Sequence, residues 1–89
     1  MKIAFTIHVK DKLQEKESKD LEIDREKIIN VLKHPIVIDK NKNPHQSVGS
    51  LNEKLSLSVI WKVENDIIKA ITFYPAEKGR YESKILRRR

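Results

Sequence analysis

The chain has no cysteine, two glycines, three prolines and one tryptophan in 89 residues. Without cysteine there is no disulfide framework and no thiolate metal site. Two glycines are too few for a glycine-rich phosphate cradle, and no P-loop, GxGxxG, HExxH or CxxC pattern occurs. The three histidines, His8, His34 and His45, lie far apart with no local ligand spacing. Neither a metal nor a cofactor is therefore expected, since a catalytic zinc site needs three convergent ligands. No apolar run approaches the ~20 residues that span a bilayer. The opening MKIAFT is too short and too polar for a signal peptide. A cytoplasmic protein with no membrane partner is the expectation.

What the chain does have is charge. Charged residues make up 36% of it and apolar residues 38%, with a formal net charge of +6. This length supports a single domain, residues 1–89, around one compact core. The charge is uneven. Lys78, Arg80, Lys84, Arg87, Arg88 and Arg89 face only Glu77 and Glu82 in the last fifteen residues. A basic C-terminal tail at about residues 82–89, on a near-neutral body, points to an anionic partner, most commonly nucleic acid.

The clearest pattern runs from Lys54 to Tyr74. Leu55, Leu57, Val59, Trp61 and Val63 alternate with Ser56, Ser58, Ile60 and Lys62, the period of a strand with one buried face. Glu64-Asn65-Asp66 supplies turn chemistry, and Ile67 to Tyr74 returns as a second strand that Pro75 is expected to stop. A two-residue loop at Asn65-Asp66 pairs Trp61 with Ala70, Val59 with Thr72 and Lys62 with Lys69. A three-residue loop puts Lys69 on the Trp61 face. The first is favoured, because a lysine on a packed face is costly. It leaves two like charges opposite each other, which is unfavourable unless an anion lies between them.

Before this hairpin, Ile3 to Thr6 reads as a short strand, and Ile7 to Lys16 has helical spacing with Val9 and Leu13 on one side. Ser18-Lys19-Asp20 reads as a break. Asp24 is then a good N-cap, flanked by the Ile23/Ile28 hydrophobic staple, for a helix carrying Ile28, Ile29, Val31 and Leu32. His34-Pro35 ends that helix. Ile36 to Asp39 reads as a short strand, and Lys40 to Ser50 as a long loop or loose edge hairpin. Arg80 to Leu86 fits either a strand or a short helix. The expected fold class is α+β, with two N-terminal helices packed on one face of a small antiparallel sheet.

The chemistry open to these residues is acid–base and phosphate chemistry. RNA is cut without metal when one group takes the 2′-hydroxyl proton, cations hold the phosphorane charge, and another group protonates the leaving oxygen. His8, Tyr74 and Tyr81 are the candidate catalytic residues. Lys12, Lys62, Lys69, Lys78 and Arg80 are the candidate nucleic-acid contacts. Each has an ordinary alternative: His8 as a structural hydrogen-bonding group, the tyrosines as core or rim aromatics, the lysines as solvated charges.

The stretch Thr6-Ile7-His8-Val9-Lys10-Asp11-Lys12-Leu13-Gln14-Glu15-Lys16 resembles the T-x-H-x-x-x-R-M-x-x-R opening of a small prokaryotic domain family. Ile23 to Pro35 resembles that family's I-x-x-E-x-I-x-x-x-L-x-x-P helix, and Ala70 to Tyr74 its late V-I-T-x-Y strand. The family is similar in element order to the RelE/ParE toxins of toxin–antitoxin systems. That resemblance implies two helices on an antiparallel sheet. It also implies either mRNA cleavage, often on the ribosome, restrained by an antitoxin, or gyrase poisoning. His8 takes the place of the motif histidine. Lys12 and Lys16 stand where the motif has arginines, which loses the bidentate guanidinium grip on phosphate.

The leading expectation is thus a RelE-like, metal-independent endoribonuclease acting on RNA or the ribosome, with a small acidic antitoxin as partner. A second reading is a non-catalytic module of the same fold that binds nucleic acid or protein. A third is an interaction protein, homodimeric or otherwise, that pairs through a sheet edge or through Ile60, Ile71 and Phe73.

Overall fold

A computed structural model describes residues 2–87 and shows an α+β fold built on one five-stranded sheet. The elements are β1 (Lys2–Phe5), α1 (Ile7–Leu13), α2 (Lys16–Asp20), α3 (Arg25–Lys33), β2 (Val37–Asp39), β3 (His45–Ser50), β4 (Leu55–Glu64), β5 (Ile67–Glu77) and α4 (Arg80–Arg87). The strand order is β1-β5-β4-β3-β2. The sheet is mixed rather than purely antiparallel, because β1 runs parallel to β5. The α1–α3 segment between β1 and the later strands supplies the long return that a parallel neighbour needs.

Three helices, not two, precede the antiparallel strands. The expected break at Ser18–Asp20 is helical, and the break falls at Gln14–Glu15 instead. Ser18 is buried, and its hydroxyl donates to the Lys12 carbonyl at 2.8 Å, tying α2 to the end of α1. The α2 helix ends in a Schellman motif, with Ile23 N–H on the Ser18 carbonyl at 2.8 Å and Glu22 N–H on the Lys19 carbonyl at 3.1 Å. Glu22 takes the left-handed position, φ 56°, usually filled by glycine.

The α3 start follows its sequence signals. Asp24 Oδ1 accepts from Lys27 N–H at 2.9 Å, and Ile23 and Ile28 are both buried in one cluster. With Val9, Val31, Leu51, Leu57, Val59, Ala70 and Phe73 they form the main core between α1–α3 and the first face of the sheet. Gly49 on β3 lets α3 approach: a Cβ there would sit 3.0 Å from Val31 Cγ2.

The hairpin takes the two-residue register. Trp61 pairs with Ala70 and Lys62 with Lys69. Asn65 and Asp66 both have positive φ, 53° and 61°, as a type I′ turn demands. Val59, however, faces Phe73 rather than Thr72, because β5 holds one extra residue, Ile71, at a bulge. Phe73 is thereby buried on the first face while Ile60 lies on the second, so Ile60, Ile71 and Phe73 do not make one patch. Nor does Pro75 end β5, which runs to Glu77 with Pro75 opposite Leu57. The Phe73 carbonyl points outward to α1, and Pro75, two residues on, turns the same way. Its missing N–H therefore falls on the side away from β4, where a strand tolerates proline.

Lys40–Ser50 is neither wholly a loop nor an edge hairpin. Its second half is β3, an interior strand paired with β2 and β4. Finally, Arg80–Arg87 resolves the strand-or-helix alternative as a helix. It lies on the second face of the sheet, where Ile85 and Tyr81 pack on Val37 and Val48. Of the basic tail, Arg88 and Arg89 lie outside the described residues.

Candidate functional site

Helix α4 crosses the second face from β2 to Tyr74 on β5, and the hairpin end of that face, where Lys62 and Lys69 lie, is left open. Register and alternation order its side chains into rows. One row runs Val37, Val48, Ser58, Tyr74. The next runs Asp39, Gln46, Ile60, Thr72. The row after that pairs Lys62 with Lys69, and Ala4 lies beside Lys69.

His8 joins this face from its outer edge. Beyond Ala70, no strand among the described residues pairs with the outer side of β5, because β1 ends at Phe5. Helix α1 takes the place of the missing strand. Thr6, its N-cap, accepts from Val9 N–H at 3.3 Å and donates to the Ile71 carbonyl at 3.2 Å. Lys12 Nζ donates to the Phe73 carbonyl and sits 5.0 Å from the Phe73 ring centroid. The Thr6 and Lys12 positions of the sequence motif thus serve the fold, satisfying backbone groups that would otherwise be orphaned at a sheet edge. His8 lies between them, exposed, with Nε2 3.2 Å from Thr72 Oγ1.

Tyr74 is two residues along the same strand and face from Thr72, about 7 Å away at the strand rise. Its ring meets Tyr81 edge-on, centroids 5.6 Å apart at 67°. Its hydroxyl turns toward β3, where Gln46 Nε2 lies 3.5 Å from it and 2.8 Å from Ser58 Oγ. Lys42 Nζ donates to Gln46 Oε1 at 3.0 Å. Gln46 and Ser58 are fully buried, and their polar groups satisfy one another as buried groups must. Sequence reasoning missed Lys42, Gln46 and Ser58. The one available signal was the alternation of Ser56 and Ser58 on the face opposite the leucines.

Lys62 and Lys69 do have an anion between them. Glu64, two residues along from Lys62 on the same face, takes Lys62 on one carboxylate oxygen at 2.9 Å and Lys69 on the other at 2.7 Å. The two hydrogen-bonded ammonium groups hold the Glu64 carboxyl down from 4.5 to about 2, with their charges adding to the effect.

The remaining candidates fall elsewhere. Lys78 and Arg80 sit at the β5–α4 turn, roughly 25 Å along β5 from Lys69 at ~3.3 Å per residue. Arg80 is loosely paired with Glu77 at 3.9 Å. Lys12 is spent on Phe73. The structure therefore gathers His8, Tyr74, Tyr81, Lys62 and Lys69 on one face and leaves Lys12, Lys78 and Arg80 out of its open part. A groove of about 980 Å³ lies on the other side of the molecule among α1, α2 and α3, and none of the candidates lines it.

The His45 and Trp61 rings meet at a tilt of 59°, centroids 4.7 Å apart, on the first face of the sheet. Among the described residues no group of three or more His, Cys, Asp or Glu side chains is placed to hold a metal ion. Among the same residues no helix is long and apolar enough to cross a membrane. No family model matches the chain, and no curated protein or solved structure is significantly similar to it.

Proposed function

We propose that this protein acts on RNA as a RelE-like, metal-independent endoribonuclease. The observation that carries the reading is the open part of the second sheet face: His8 stands at Thr72, with the Lys62/Lys69 pair in the adjoining row. In this reaction the 2′-oxygen attacks the adjacent phosphorus as the His8 imidazole takes its proton. The P–O5′ bond breaks, a 2′,3′-cyclic phosphate forms, and the 5′-oxygen leaves with a proton taken from solvent water, while His8 holds the 2′-hydroxyl proton as imidazolium. The ammonium groups stabilise the charge on the phosphorane oxygens. Tyr74 and Tyr81 offer a ring pair against which a base stacks, as aromatic rims do in single-strand recognition. A small acidic protein that covers this face would be the natural restraint on such an activity.

The test is inducible expression in bacteria, following growth and total mRNA integrity for wild type beside His8→Ala. His8 is exposed and holds one hydrogen bond, so its removal leaves the core intact. Growth arrest with mRNA cleavage in wild type alone is the expected result. Harmless expression of both with intact mRNA refutes the ribonuclease reading.

A second reading is favoured by one specific observation. The three lysines offered as phosphate contacts around this face are already engaged, Lys12 by Phe73 and Lys62 and Lys69 by Glu64. A non-catalytic module of the same fold, binding RNA through this face, needs no more than that. Steeply salt-dependent RNA binding without cleavage would select it.

A further inference from the structure

We infer that Lys62 and Lys69 form a phosphate site for single-stranded nucleic acid, and that Glu64 is its built-in competitor, occupying the place of the phosphate in the free protein. This rests on the reading of the second sheet face as an RNA surface.

The argument starts from strand pairing. Lys62 and Lys69 are directly opposite each other, an arrangement that is destabilising when nothing lies between the charges. The fold resolves it with a carboxylate that bridges the two ammonium groups, one oxygen to each, at 2.9 and 2.7 Å. A phosphodiester presents the same features: one negative charge shared over two oxygens, able to bridge the two donors. The site is thus already shaped for a bridging oxyanion.

The occupant is exchangeable. All three side chains are between a third and a half exposed, 48% for Lys62, 37% for Lys69 and 43% for Glu64. Ion pairs that reach water contribute little and break readily. Each ammonium has three donors, of which Glu64 uses one. The lysines can therefore engage an incoming phosphate before the carboxylate leaves. The site also adjoins the row where His8 meets Thr72, so a strand held here runs past the imidazole.

The test is the affinity of wild type and Glu64→Gln for a single-stranded oligouridylate, measured by fluorescence anisotropy across a salt series, with circular dichroism to confirm that each variant folds. Glutamine keeps the size and removes the charge. Expected is a gain in affinity of about three- to tenfold at low salt, the range that releasing two exposed ion pairs allows. The salt dependence should steepen by about 0.7 for each phosphate newly neutralised. Adding Lys62→Gln and Lys69→Gln to Glu64→Gln should erase the gain. If wild type binds and Glu64→Gln binds no better, or if the gain survives loss of both lysines, the competitor role is wrong while the RNA surface stands. If neither protein binds, the RNA surface falls and this inference with it.

Discussion

Lys12→Met separates a fold role from a phosphate role at the one motif position where the two readings conflict most sharply. The sequence places Lys12 among the nucleic-acid contacts, whereas the structure spends its ammonium on the Phe73 carbonyl and ring. That carbonyl belongs to the stretch of β5 that outruns β1. Methionine keeps the apolar stem and removes the donor. A hydrogen bond to a charged group is worth about 1.5–3 kcal/mol, and a cation over an exposed ring adds about 0.5–1. Lys12 is half-buried, so water takes over part of the carbonyl's need. The net loss expected is about 1.5–2.5 kcal/mol. For a domain of this size that lowers the melting temperature by roughly 6–20 °C. Urea and thermal unfolding followed by circular dichroism measure it, beside anisotropy with the same oligouridylate. The expected outcome is a destabilised protein with unchanged RNA affinity when folded. A variant that melts like wild type but loses RNA affinity refutes the edge-satisfying role and returns Lys12 to the phosphate contacts.

Gly49→Ala should destabilise by about 1–3 kcal/mol in the same unfolding assays, because its methyl meets Val31 Cγ2 at 3.0 Å and a buried, β-branched helical valine has little rotamer freedom to yield. A neutral result would show that α3 shifts freely over the sheet. Acid titration tests the Glu64 bridge. Its folded carboxyl is depressed to about 2 from 4.5, so its stabilisation is fully present above the unfolded value and is lost as pH falls through the folded one. Glu64→Gln should flatten the pH dependence of stability in that interval, and an unaltered slope would mean that the bridge does not persist in solution.

The parts of the fold that were legible from the sequence are those where local chemistry and tertiary need agree. Asp24, Ile23 and Ile28 announce the start of α3, because cap and staple are local devices that the folded protein keeps. Asn65-Asp66 announces the hairpin turn for the same reason. What stayed hidden depends on neighbours far away in the chain. His45–Ser50 has little β-propensity of its own. It is a strand because β2 and β4 pair with it on both sides, so tertiary pairing overrides the local tendency. The Ile71 bulge has no glycine or other marker in the stretch Ile67 to Tyr74, yet it decides which of Thr72 and Phe73 enters the core.

The same division explains the candidate site. Alternation in β4 set Lys62 on the face opposite the leucines, and the turn set Lys69 beside it. That the pair already holds an anion was not legible, because Glu64 read as part of the turn when it is the last residue of β4. Likewise the Thr-x-His-x-x-x-Lys spacing looks like a chemical motif, and most of it is an edge device: Thr6 and Lys12 satisfy the carbonyls of Ile71 and Phe73 from successive turns of α1. His8, between them, is the member that faces solvent beside the second face. It makes one hydrogen bond, to a hydroxyl that water could replace, whereas Thr6 and Lys12 reach main-chain carbonyls at an unpaired edge. By that physical criterion His8 is the one of the three whose side chain the fold leaves available to the proposed reaction.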